Sequence, residues 1–358
     1  MVFNPYYKKR VDPYGSQNCG ATRKSSTDSF SNVLCDVLPM DSIDNIIGPF
    51  SYTEYKYGER TIGIFGEYHN IDKPTKISKN TTLTFSGFIS SLLTQSTIQY
   101  DLFVEMPYIN KRLKGSRIHK SNTMLSIIQK NYKDCLSVVK HCPYKNLRAH
   151  YTDYRTSTSF EKSIVFKVYN ELDLKKPFPK AIRDHEIFKN PILFYKREQT
   201  KVLGIFKDPK ILKQLRNVPK NIDIKKFFLK SVKNMEREFK QFLKMYWSNV
   251  DPAIIINSLK TYSKFFSAIV SEFINFFIDL NNVVMDVYTI SRMFRTFNRT
   301  PEEDPKNIIV YVGNNHAETY RHFMEYIKAK KIIDITGEKY ITFSDTDKKQ
   351  SFLYNRNF

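Results

Sequence analysis

Four short apolar runs that do not alternate punctuate the chain: Thr61–Phe65, Tyr100–Val104, Leu147–Tyr151 and Asn307–Val312. The first and last stop at Gly66 and Gly313, and the second at Glu105. Runs this short and this apolar predict strands buried on both faces. Between the first two, residues 83–98 offer Leu83, Phe85, Phe88, Leu92 and Leu93 to one face of a crossover helix. Strands of this kind with helices between them predict an α/β fold, a parallel or mixed central sheet flanked by helices. Near the end, Lys331–Ile335 and Lys339–Phe343 read as a hairpin turning at Gly337-Glu338.

The middle of the chain follows a helical period instead. Over Lys225–Ser248, the residues Phe228, Val232, Met235, Phe239, Phe242 and Tyr246 form an apolar stripe between lysines, which reads as a core-facing helix side. Over Tyr262–Phe297, large residues recur as Phe265, Ile269, Phe273, Phe276, Leu280, Val283 and Val287. Glu272, Asn275, Asp279 and Asn282 interrupt that window. A membrane span needs about 20 nearly unbroken apolar residues, so a core helix is expected and no transmembrane segment. The expected organisation is a basic N-terminal arm (1–47), a first part of the α/β domain (48–155), a large helical insertion (156–284) and a closing part (285–358).

Composition adds a core and a charge. Hydrophobic residues at 41% and aromatics at 15% support a packed interior and exclude wholesale disorder. The four cysteines, Cys19, Cys35, Cys135 and Cys142, form no CxxC pair and are too few for a disulfide scaffold. That suits a reducing compartment. No basic-then-apolar leader opens the sequence, so a cytoplasmic or virion location is expected rather than secretion. The formal net charge is +21, and residues 206–244 carry twelve Lys and Arg against four Asp and Glu. Such an excess calls for an anionic partner, be it nucleic acid, acidic protein or a membrane surface.

Candidate chemistry sits at the strand ends. Gly66-Glu67-Tyr68-His69 follows the first run, Glu105 the second, and Gly313-Asn314-Asn315-His316 the last. Parallel sheets gather the C-terminal ends of their strands along one edge, where ligands bind. Glu67, His69, Glu105 and His316 are therefore expected to converge. His69, Glu105 and His316 could hold a divalent metal with an open position for water. Without metal, Glu could act as base and His as acid or oxyanion donor. Asp153 and Arg155 in HYTDYR form a further strand-end pair. His119, His141, His150, His185 and His322 lie in basic, loop-like or helix-surface surroundings and stay outside the expected site.

With these motifs in view, the chain resembles the TIKI/TraB/PrgY superfamily, which also includes ChaN-like haem-binding lipoproteins and erythromycin-esterase-like hydrolases. GEYH at 66–69 resembles the GExH segment of the ChaN and esterase branches. Val104-Glu105-Met106 resembles their strand-end VEM, and VGNNHA at 312–317 their closing GxGH. Asp286-Val-Tyr-Thr-Ile-Ser-Arg292 resembles the RDxYxxxxL helix of the TraB branch, with Met285 where the family carries Arg. Asp286 thereby joins the candidate residues, with Arg292 or Arg295 as substitutes for the missing charge. The resemblance spans 60–106 and 285–320. It implies hydrolysis of a peptide or ester bond, assisted by a divalent metal in some branches, with haem a weaker candidate. The composition also resembles that of proteins of large cytoplasmic DNA viruses. The alternative expectation is a basic virion structural or packaging protein, on a catalytically degenerate fold of this type, contacting genome or other virion proteins.

Overall fold

Thr61–Phe65 lies inside a strand, β3 (Arg60–Glu67), buried along almost its whole length. A two-residue turn joins it to β2 (Pro49–Tyr57), which runs antiparallel with Tyr57 opposite Arg60. Gly58 takes φ +57° in that turn, a left-handed conformation in which a Cβ would be strained. These features come from a computed structural model that describes residues 38–68, 81–107, 124–132, 134–135, 142–154, 164–165, 167–168, 185–247, 264–296, 304–338 and 340–354.

The chain divides into two units, one formed by Met1–Asp153 with Arg299–Phe358 and the other by Tyr154–Asn298. The first is α/β. Its main sheet has the order β6-β5-β7-β3-β2-β8, where β5 is Tyr100–Pro107, β6 is Leu147–Asp153, β7 is Asn307–Gly313 and β8 is Lys330–Thr336. The neighbours β6, β5, β7 and β3 are parallel, while β2 runs against β3 and β8. The sheet is therefore mixed, with a parallel core. A small second sheet sets β1 (Asn45–Ile47) between β4 (Thr82–Thr84), parallel, and β9 (Tyr340–Thr342), antiparallel.

Helix α1 (Phe85–Gln95) starts at Thr84, whose hydroxyl accepts the Gly87 N–H at 3.2 Å. It buries Phe85, Phe88, Ile89 and Leu92. Phe85 meets Phe65 and Tyr311 at ring distances of 4.9 and 4.1 Å, so α1 covers the sheet face that carries those two side chains. Helix α2 (Met124–Tyr132) adds Ile128 and Tyr132 to the same core. Beyond it, Cys135 and Cys142 form a disulfide. The expectation of reduced cysteines does not hold for this pair, whose Cα atoms, seven positions apart in sequence, lie 4.2 Å from one another.

The second unit is helical. It contains α3 (Glu186–Lys189), α4 (Pro191–Leu203), α5 (Pro209–Leu215), α6 (Ile224–Tyr246) and α7 (Lys264–Phe294). Asp208 and Asp223 cap α5 and α6 by accepting first-turn N–H groups. The α6 stripe packs on α7, with Phe239 5.3–5.8 Å from the rings of Phe273, Phe276 and Phe277. By length and composition α7 could cross a membrane over Ala268–Phe294, yet 61% of its most apolar 18-residue window is buried, which suits the core helix expected.

Three expectations need correction. The boundary at 284/285 falls inside α7, where Val283, Val284, Met285 and Val287 are all buried and the helix runs on unbroken. The arm does not extend to 47, since Met40, Ile43 and Ile46 belong to the core and β1 is paired on both sides. The hairpin at 331–343 does not form, because β8 pairs with β2 and β9 with β1, in different sheets.

Candidate functional site

The strands β5, β7 and β3 lie side by side and parallel, with Val104 level with Tyr311 and Glu67 level with Gly313. Their C-terminal ends therefore share one edge of the sheet. Helix α8 (Asn314–Tyr326) leaves β7 at that edge without an intervening loop. His316 sits in its first turn and is 2% exposed. Glu105 Oε2 accepts the backbone N–H of Gly313 at 2.8 Å, and Oε1 stands 3.6 Å from His316 Nε2. That spacing is an ion-pair distance and is longer than a hydrogen bond. The carboxylate is thus fixed by one oxygen, while the other looks toward the imidazole.

Glu67 is turned elsewhere. Side chains alternate along a strand, so Glu67 shares a face with Phe65, and its level partners place Tyr311 on that face too. The Tyr311 hydroxyl donates to Glu67 Oε2 in a short hydrogen bond. Glu67 is 1% exposed. Burial raises the Tyr311 pKa well above the usual phenol value, and the Glu67 charge adds to the rise. Val104 is level with Tyr311, so the next residue, Glu105, belongs to the opposite face with Gly66 and Val312. The two glutamates share an edge but not a side of the sheet.

The Glu105 face is the one covered by α8. A Cβ at Gly66 would stand 2.6 Å from Ser51 Oγ, 2.9 Å from Asn314 Oδ1 and 3.2 Å from Ala317 Cβ, so the glycine of GEYH is needed for α8 to close on β3. Nearby, Arg321 donates to Thr53 Oγ1 at 2.9 Å and to Ser51 Oγ at 2.7 Å. Burial lowers its pKa. Asn314 Nδ2 donates to Glu318 Oε1 at 2.8 Å.

The remaining candidates divide as follows. His69 and Arg155 lie outside the described residues. Asp153 ends β6 level with Pro107, half-buried. Asp286 and Arg292 belong to α7 of the helical unit, where Asp286 is buried and Arg292 Nη1 lies 3.3 Å from the Tyr288 hydroxyl. Sequence reasoning passed over Tyr311 and Arg321. Tyr311 carried a faint signal, a phenol inside an otherwise aliphatic strand run, and Arg321 carried none.

Two donors held by one tetrahedral ion at about 2.0–2.1 Å lie roughly 3.4 Å apart. The 3.6 Å between Glu105 Oε1 and His316 Nε2 fits two such positions. Among the described residues no group of three His, Cys, Asp or Glu is gathered for a metal; the third expected ligand, His69, is not among them. No family model matches the chain, and neither does any curated protein or solved structure.

Proposed function

We propose that the α/β unit is a hydrolase of peptide or ester bonds of the TIKI/TraB type, with Glu105 and His316 as its acid–base pair. The observation that supports this is their approach, 3.6 Å, at the C-terminal ends of two adjacent parallel strands. Glu105 is the base. The Gly313 N–H holds one oxygen in place, and the other, beside His316, takes a proton from water. His316, beside it, gives a proton to the leaving group. The first turn of α8 begins beside Glu105 at Asn314, and the N-terminal end of a helix favours a developing oxyanion. In the alternative form of this reading, Glu105 and His316 would instead hold a divalent ion, with His69 as third ligand. The ion would supply Lewis acidity and an activated water in place of these proton transfers.

The test is turnover of a panel of chromogenic esters and peptides, with metal content measured on the same preparations. Glu105→Gln and His316→Ala should each lose activity by at least a hundredfold, and bound metal should fall in His316→Ala. Wild-type turnover and metal content in both variants would remove the assignment.

A second reading is favoured by the charge. The helical unit holds the segment 206–244, with its twelve Lys and Arg against four acidic residues, and a small-substrate hydrolase has no need of it. In this reading the chain binds a polyanion, as a packaging or shell component would.

A further inference from the structure

Six of the seven basic residues of α6, all but Lys225, fall on one line. Lys226, Lys230, Lys233, Arg237, Lys240 and Lys244 follow one another at alternating steps of four and three. At about 100° per residue this places all six within a sector of roughly 80°, directly opposite the buried side. All six are exposed. The buried side, with Phe228, Val232, Phe239, Phe242 and Leu243, belongs to the unit's own core. No acidic residue falls inside the sector. Glu236 lies on its flank, where Lys240 bonds it at 2.6 Å and Gln199 at 3.2 Å. For the other five cations, no ion pair is found among the described residues.

A solvated helix face ordinarily mixes both signs, because like charges three or four residues apart repel. Here successive charges along the stripe share one sign, with Glu236 on the flank paired to Lys240, so the free protein bears a repulsion that a bound polyanion would relieve. From Lys226 to Lys244 the stripe is about 27 Å long, with a cation every 5 Å or so. A duplex carries one phosphate per about 1.7 Å of axis, so roughly sixteen phosphates pass within that length. The sector contains no aromatic residue, which leaves out the base stacking on which single-strand binders rely. A membrane surface is matched less well, since the apolar side of α6 is committed to its own unit and has nothing to insert.

We infer that the exposed stripe of α6 is a binding surface for the phosphate backbone of duplex nucleic acid, read without regard to sequence. This rests on the polyanion reading and is independent of the hydrolase.

The experiment follows a 30-base-pair duplex of random sequence by fluorescence anisotropy, with the full chain, between 50 and 200 mM salt. Six phosphate contacts predict a slope of about −5 in log affinity against log salt, a loss of about a thousandfold across that range. Replacing Lys226, Lys230, Lys233, Arg237 and Lys244 by Gln should weaken binding at 50 mM salt by at least a hundredfold and flatten the slope to about −1. A control with the same net charge, Lys207, Lys213, Lys220, Lys328 and Lys330 all changed to Gln, should stay within about threefold of wild type. Arg at the lysine positions of the stripe should preserve binding, which separates lost charge from a damaged helix. Equal losses in the stripe variant and the control would overturn the stripe while leaving the polyanion reading intact. No binding at 50 mM salt would overturn both. If the stripe variant keeps its duplex affinity but no longer binds vesicles containing phosphatidylserine, the surface is a membrane site and the inference is wrong.

Discussion

Glu67 and Glu105 have the same setting in the sequence, each closing an apolar strand run, and each strand borders β7. Their surroundings nonetheless differ in kind. Glu67 points into the face packed by α1, where the Tyr311 hydroxyl binds it. Glu105 points to the face covered by α8, where it meets the Gly313 N–H and the His316 ring. One step of strand parity separates the two. A carboxylate at a strand end is thus assigned to core or to site by register, and register is fixed by which residues of β7 lie opposite.

The widest gap between the two should appear in catalysis. Glu105→Gln is expected to lower turnover by about 10²–10⁴, the usual contribution of a general base. Glu67→Gln is expected to stay within about tenfold, in the same substrate panel. Equal losses would place both carboxylates at the reaction and break the comparison.

A smaller difference concerns stability. Tyr311→Phe strips a hydrogen bond from the fully buried Glu67 and should cost about 1–3 kcal/mol in a denaturant titration. Combined with Glu67→Gln it should cost less than the separate effects summed, since the groups share one interaction. Glu105→Gln keeps an acceptor for the Gly313 N–H and should fall within about 1 kcal/mol of wild type.

The smallest effect is a matter of pH, and two other buried carboxylates of the same unit sharpen it. Burial raises the Glu54 pKa, against hydrogen bonds from Tyr52 at 2.6 Å, Ser351 at 2.7 Å and the Phe352 N–H at 3.2 Å. Asp101 is also raised by burial, but His150 and Arg148 outweigh it and leave its pKa lowered. Arg148 donates two bonds to Asp101, at 2.9 and 2.7 Å. A raised carboxylate contributes stability that is present below its unfolded pKa and lost as pH rises through the folded one. Glu54→Gln should therefore remove a decline in stability that begins above about pH 4.5. For Asp101 the sign reverses. Its contribution is present above its unfolded pKa and lost as pH falls through the lowered one, so Asp101→Asn should flatten the acid limb below about pH 4. Denaturation midpoints from pH 2.5 to 8 test both; slopes of the same sign would show that burial alone governs the two groups.

The parts of the fold that could be read from the sequence are those whose burial is two-sided. β3, β5 and β7 carry runs that only an interior strand tolerates, and α6 and α7 carry a period no strand would keep. β6 carries a similar run but is the edge strand and only half-buried. β2 was hidden by its polar residues, since Ser51, Thr53 and Glu54 are all buried. They are tolerated because partners distant in sequence, Arg321 and Ser351, bond to them. The segments of β8 and β9 read as strands, but their pairing does not follow from the sequence, as their partners lie some 280 and 300 residues back along the chain. At the site, the residue types and the shared edge were legible. Which glutamate faces His316 was not, because parity depends on the pairing of β5 with β7 across two hundred residues.

The order in which these strands leave the ribosome gives β7 another significance. β7 sits between β5 and β3, but its first residue, Asn307, is made 240 positions after Glu67, once the whole helical unit has been synthesised. At roughly 5–20 residues per second, that is a wait of about 12–48 s. During it, β3 and β5 each lack the neighbour that both require and present an open edge of unpaired backbone, the kind that recruits foreign strands. The edge that carries Glu105 and His316 thus closes late, with only β8 joining the sheet after it. A nascent chain stalled inside the insertion would hold finished strands on either side of a vacant slot, a state in which chaperone binding and aggregation compete for the place reserved for β7.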